Sequence, residues 1–255
     1  MSIEQMIGGG VVALAAVLTL VFGLMRKRMS GLPLRNLPAI TSLKRSVGLT
    51  IEDGKRLHVS LGNSSILGAG NAASLAGLSV VEHLALLSMI SDRPPVVTTG
   101  EGSLMLLGQD VLRYVYRKGN ILNKYDPRLV RQTGFSPYSY VLGTMPVIAQ
   151  ENVQTSVLIG RFGAEVAFIN DSARRENGYS LGASDDLTAQ AVMLGTATDT
   201  LLGEELFAAP AYLSQNSFHR SSLLTQDILR WILIAVILAG VILAILNQFL
   251  GFSFL

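Results

Sequence analysis

Two long stretches of the chain carry no charged side chain: MIGGGVVALAAVLTLVFGLM at Met6–Met25 and WILIAVILAGVILAILNQFLGFSFL at Trp231–Leu255. About 20 apolar residues in a helix cross the ~30 Å hydrocarbon core of a bilayer, so each stretch is long enough to span. A cleavable signal peptide places positive charge ahead of its apolar run. Here Glu4 precedes the first stretch and Arg26, Lys27 and Arg28 follow it, the pattern of a retained anchor. Positive residues beside a span hold their flank in the cytoplasm. Arg220 and Arg230 precede the second stretch, nothing basic follows it, and Trp231 fits an interfacial anchor. The expected organisation is a transmembrane helix over 6–25, a basic juxtamembrane linker over 26–47, a cytoplasmic α/β domain over 48–225 and a transmembrane helix over 229–250, with both termini outside.

Composition supports a lipid bilayer as partner: 49% of the residues are hydrophobic and only 15% are charged. The net charge of +2 and a pI near 9.0 do not call for a nucleic acid. Arg35, Lys44 and Arg45 join the basic cluster after the first span, where each gains about 1 kcal/mol from anionic headgroups. With no cysteine, disulfides and thiolate-ligated metals are excluded. His58, His83 and His219 fall in no H-x-x-x-H or H-E-x-x-H spacing, so no metal and no cofactor is expected. Neither span contains an ionisable residue, which argues against a pore or carrier.

Between the spans, Ser30–Val47 has two prolines and no sustained period, hence the linker. Strand-like and helix-like segments then alternate. KRLHVSLG (Lys55–Gly62), PVVTTG, VQTSVLIG (Val153–Gly160) and GYSLGA (Gly178–Ala183) read as strands, with His58 on the face opposite Leu57 and Val59. Asn71–Ser91, Ser103–Gly119, the segment after Ser136 with Pro137 at its first position, and Gly163–Asn177 read as helices. Pro146 is expected to kink the third of these. Asn120–Phe135 reads as irregular, and Ser184–Leu213 as helical until glycine and proline interrupt it. This alternation predicts an α/β fold, a small mainly parallel sheet covered by helices and Rossmann-like in kind.

In a parallel sheet the loops GNSSILGAGN, TTGEGS, GRFGAE and GASDD emerge on one edge, where α/β proteins bind ligands. The residue types there suit an anion: Thr98, Thr99 and Ser103 hydroxyls, the amides after Gly100 and Gly102, Gly160, Arg161 and Gly163, with Glu165 beside them. Glycines at such corners also serve only to turn the chain, and Glu101 opposes a phosphate. TTGEGS lacks the lysine of a Walker loop, GAGNAAS is not a dinucleotide fingerprint, and no G-x-S-x-G occurs. Glu204 and Glu205 sit amid apolar residues, and a structural or assembly role suits them better than catalysis. No complete catalytic constellation is present.

SDRPPVVTTGEGS, GQDVLRYVYRKG, LIGRFGAE and LLGEELFAAPAYL occur in that order. With them the chain resembles, over Gly48–Leu213, a bacterial two-span membrane-protein family whose cytoplasmic domain has no known function. The resemblance singles out Asp92, Thr98, Thr99, Gly100, Gly160, Phe162, Gly163, Glu165, Gly203, Glu204 and Glu205; Pro210 stands where a small residue is expected. It implies the bacterial inner membrane and brings no known activity. Two function classes compete. One is a membrane-anchored scaffold that self-assembles as a homo-oligomer, with other membrane subunits as further candidate partners. The other is a small-ligand (anion) sensor or accessory subunit using the strand-end loops.

Overall fold

The strand RLHVSLG, β1 (Arg56–Gly62), is buried along nearly its whole length, and a strand buried on both faces belongs in the middle of a parallel sheet. The computed structural model describes residues 3–24, 35–66, 71–89, 91, 93–213, 225, 227–238 and 240–241. Within it β1 lies between β2 (Val96–Thr99) and β4 (Val153–Arg161), and the sheet continues outward to β3 (Val130–Gln132) on one side and to β5 (Tyr179–Ser184) and β6 (Asp199–Leu201) on the other. The order is β3-β2-β1-β4-β5-β6 and every pair is parallel. This is the doubly wound order, whose direction of winding reverses between β1 and β4.

Helices cover both faces. α2 (Pro38–Glu52), α3 (Asn71–Ser88), α4 (Gly102–Lys118) and α8 (Glu205–Leu213) pack on the face that carries Leu57, Val59 and Leu61. α5 (Pro137–Gln150), α6 (Val166–Arg175) and α7 (Leu187–Thr196) pack on the other, around Tyr140, Leu158, Ile169 and Met193. α3 is long and apolar enough to cross a membrane by length and composition, but half of it is buried inside the domain, as befits a core helix.

Four expectations are corrected. Pro38–Glu52 is a helix rather than linker: Leu37, Ile40, Leu43 and Val47 enter the core, and Thr50 bonds Ser46 O at 2.8 Å and Thr155 Oγ1 at 2.7 Å. The α/β unit therefore runs from Arg35 to Ser214, not over 48–225. Asn120–Phe135 is not wholly irregular, since it contains the edge strand β3, and Ser184–Leu213 is broken by the edge strand β6. α5 runs through Pro146 as one helix.

A second unit comprises Met1–Leu34 and Gln215–Leu255. In it α1 (Ile3–Leu24) is helical, as are residues 227–238. The remainder of the expected second span, the segment 25–34, Asp92 and His219 lie outside the described residues.

β1 and β4 remain in contact to their last residues. Gly62 has φ +76°, and a Cβ there would collide with the Arg161 carbonyl; one on Gly160 would collide with the carbonyl of Leu61. Gly102, by contrast, has only the Gln132 side chain at 3.5 Å from a built Cβ. Gly62→Ala is expected to lower the chemical-denaturation midpoint by the equivalent of about 1 kcal/mol or more. Gly102→Ala is expected to hold or raise it, because alanine is the better helix former. Equal effects of the two substitutions would contradict the close β1–β4 approach.

Candidate functional site

Helices that follow parallel strands present their free N-terminal amides at the carboxyl edge of the sheet, and here the chain covers several of those amides with its own carboxylates. Glu101 caps α4: its side chain accepts from Leu104 N at 2.9 Å and from the Ser103 hydroxyl. Glu165, nearly buried, accepts from Gly163 N at 2.8 Å in the turn after β4. Asp186 caps α7, accepting from Thr188 N at 2.9 Å and Ala189 N at 3.1 Å. Glu101 and Asp186 sit where a bound anion would lie, and the helix dipole favours them there.

The threonines expected to serve one anion are split between the two faces of the sheet, because consecutive strand residues point opposite ways. Thr99 Oγ1 accepts from Glu101 N at 3.2 Å and so shapes the corner. Thr98 faces the α5 side. Its hydroxyl lies 2.9 Å from His58 Nε2 and 3.5 Å from the Tyr140 hydroxyl, which is bonded in turn to Ser60 Oγ. His58 Nδ1 lies 3.4 Å from Ser156 Oγ. These groups form a buried polar chain through β4, β1, β2 and α5. Burial alone pushes the His58 imidazole down to about 3, so it is neutral at physiological pH.

The strand ends stay joined. Gly100 N donates to Gly62 O at 2.9 Å, Asn63 N to Arg161 O at 3.1 Å, and Thr133 N to Thr99 O at 3.1 Å. The sequence did not single out Asp185, which stands at the end of β5. Burial raises its carboxyl pKa and the charge of Arg161 opposes that shift. Its Oδ1 is buried with no hydrogen-bond partner. Arg161 and Asp185 are thus the strand-end pair with an acceptor still to fill; the signal in the sequence is the doubled acid of GASDD. Glu205 Oε2 accepts from Leu202 N at 3.3 Å, a capping role that fits the structural reading of the Glu204–Glu205 pair.

Alongside β3 runs a groove of about 640 Å³ lined by Arg56, Arg128, Arg131, Asp126 and Glu151 among others. Its cations are engaged: Glu151 bridges Arg56, at 2.6 Å, and Arg131, while Arg128 pairs with Asp126 at 3.0 Å. Among the described residues no three acids or histidines gather as a metal site.

A family model described as a domain of unknown function, DUF6754, matches residues 3–254. The chain belongs to the DUF6754 family. No curated protein and no solved structure matches it. The DUF6754 match takes in both terminal apolar stretches together with the α/β unit, a wider span than the motifs alone mark out.

The buried histidine gives this DUF6754 chain a pH signature. With a folded pKa near 3 against 6.5 for the free group, the folded state binds fewer protons than the unfolded one. The contribution is therefore intact above pH 6.5 and is lost as the pH falls toward 3, by up to about 1.4 kcal/mol per unit. Thermal melts between pH 7 and 5 should show a shallower slope for His58→Gln than for wild type. His83, also lowered by burial and by Lys44, supplies a residual slope in both. Parallel slopes would contradict a neutral, buried His58.

Proposed function

We propose that this DUF6754 protein is a membrane-anchored scaffold of the bacterial inner membrane whose cytoplasmic α/β domain self-associates. The observation that carries the reading is the apolar surface of the terminal segments. Val12, Val17 and Leu20 on α1, and Trp231, Leu233, Val236 and Leu238 on the C-terminal helix, are exposed, an arrangement suited to lipid rather than water. α1 is 22 residues long, about 33 Å at the helical rise. The self-capped corners at the sheet edge support the same reading, because carboxylates already occupy the positions an anionic ligand needs.

A second reading, a small-ligand sensor or accessory subunit at the strand ends, draws its support from Asp185. A buried carboxylate oxygen without a donor, beside Arg161, suits a ligand that brings an amine or hydroxyl.

The chain has no cysteine, so single thiols report topology cleanly. Ser2→Cys is expected to react with an impermeant maleimide added to spheroplasts. Asn123→Cys, on an exposed turn of the α/β unit, is expected to react only after the membrane is opened. Labelling of Asn123→Cys from outside would reverse the topology, and release of the protein by alkaline carbonate would overturn the anchoring.

A further inference from the structure

The polypeptide from Gln132 to Gln150 contains no charged residue, yet it supplies α5, a helix on the outside of the α/β unit. A surface helix normally turns a charged or strongly polar stripe to solvent, and one that is apolar all round is covered on all sides. α5 buries Tyr140, Val141, Thr144, Val147 and Ile148 inward. Outward it presents Tyr138, 63% exposed, and Leu142, 64% exposed, one turn apart on a single stripe.

Two further side chains extend this surface. Phe135, in the corner leading into α5, is 86% exposed. Its position is fixed by the structure around it: Asn63 Nδ2 donates to its carbonyl at 3.4 Å, and Ser136 and Ser139 form a capping box immediately after it. Thr133 Oγ1 also donates to Tyr140 O at 3.1 Å. Phe168, 50% exposed, lies on the neighbouring α6. The Ser172 hydroxyl reaches Met145 O at 3.4 Å, which sets Phe168, one turn earlier, level with Leu142. Large aromatics held out on a rigid platform lose little entropy when they are covered, the property of interface anchors.

We propose that the surface formed by Phe135, Tyr138, Leu142 and Phe168 is where a second copy of this chain docks. The inference rests on the self-association proposed above and names its interface. Two observations favour a copy over another partner. First, the surface is neutral, so a two-fold contact sets no like charges opposite one another and offers nothing to select a charged partner. On α6, Asp171, one turn after Phe168, is already paired with Arg174 and Arg175, both at 2.7 Å. Second, the area suits a dimer. At roughly 200 Å² for a free aromatic side chain, the four residues expose on the order of 450 Å². That is the apolar centre of a standard interface of about 800 Å² per partner, with Ser136, Ser139 and Gln150 as its polar rim.

The test uses the full chain purified in mild detergent and then in nanodiscs. Leu142→Cys introduces its single thiol. It is expected to give a dimer band with a short bismaleimide, whereas Leu75→Cys, also exposed but on the opposite face of the sheet, is expected not to. Tyr138→Glu with Leu142→Glu, both on exposed positions, is expected to raise the self-dissociation constant at least tenfold by mass photometry, with the thermal midpoint unchanged. Retention of the oligomer in that folded variant, or equal cross-linking at Leu75→Cys, overturns this interface and leaves self-association standing. A monomeric wild-type protein at micromolar concentration overturns both, and another partner class takes the surface. If the double variant fails to fold, the cysteine pair still decides the question.

Discussion

An all-parallel sheet leaves both faces apolar, and the pairing of β1 with β4 at its centre is the contact on which the rest of the molecule depends. The two strands run side by side from Arg56 and Val153 to Gly62 and Arg161, and glycine at Gly62 and Gly160 lets the backbones close together at the end. In doubly wound folds the switch point is where neighbouring strands send their chains to opposite faces and a crevice opens for ligand. Here backbone hydrogen bonds continue beyond the strands, from Thr133 through Thr99 to Gly100, Gly62, Asn63 and Arg161. The strand ends are joined rather than spread, which fits a corner built for shape.

The same economy governs the charges at that edge. An amide at a helix N-terminus needs an acceptor, and Glu101 and Asp186 supply one from within two or three residues, while Glu165 accepts from Gly163 N in the turn before α6. What sets the edge apart chemically is Asp185, whose oxygen has no donor, beside the cation of Arg161. Behind the edge, the Ser156–His58–Thr98–Tyr140–Ser60 chain fixes α5 to the sheet through hydrogen bonds that water cannot replace. That attachment holds Phe135 and Tyr138 at the surface and so links the core to the proposed interface.

Much of the fold was legible in the sequence. β2 and β4 are rich in β-branched and aliphatic residues, β1 and β5 are short segments that end or begin beside glycine, and Ser136-Pro137 announces α5 as its capping box confirms. β3 and β6 were not legible, because VRQ and DTL are three-residue edge strands too short to display a period. α2 was missed because two prolines and the adjacent Lys44 and Arg45 read as linker, although Leu37, Ile40, Leu43 and Val47 carry a helical spacing. At the site, the sequence located the corners but not their content. Thr98 and Thr99 are neighbours in the chain and opposites in the sheet, and Tyr140 reaches His58 only through Thr98, across the fold. No local pattern encodes such a contact.

The central claim is that the helix starts at the sheet edge are capped by the chain's own carboxylates and that the proposed assembly occurs on the α5 face. A single-particle map of the full chain in nanodiscs tests it most directly. The account predicts two or more copies meeting across α5 and α6, with no density beyond the protein between Arg161 and Asp185. Isolated copies with a bound molecule between those two residues would contradict it and give the domain to the sensor reading.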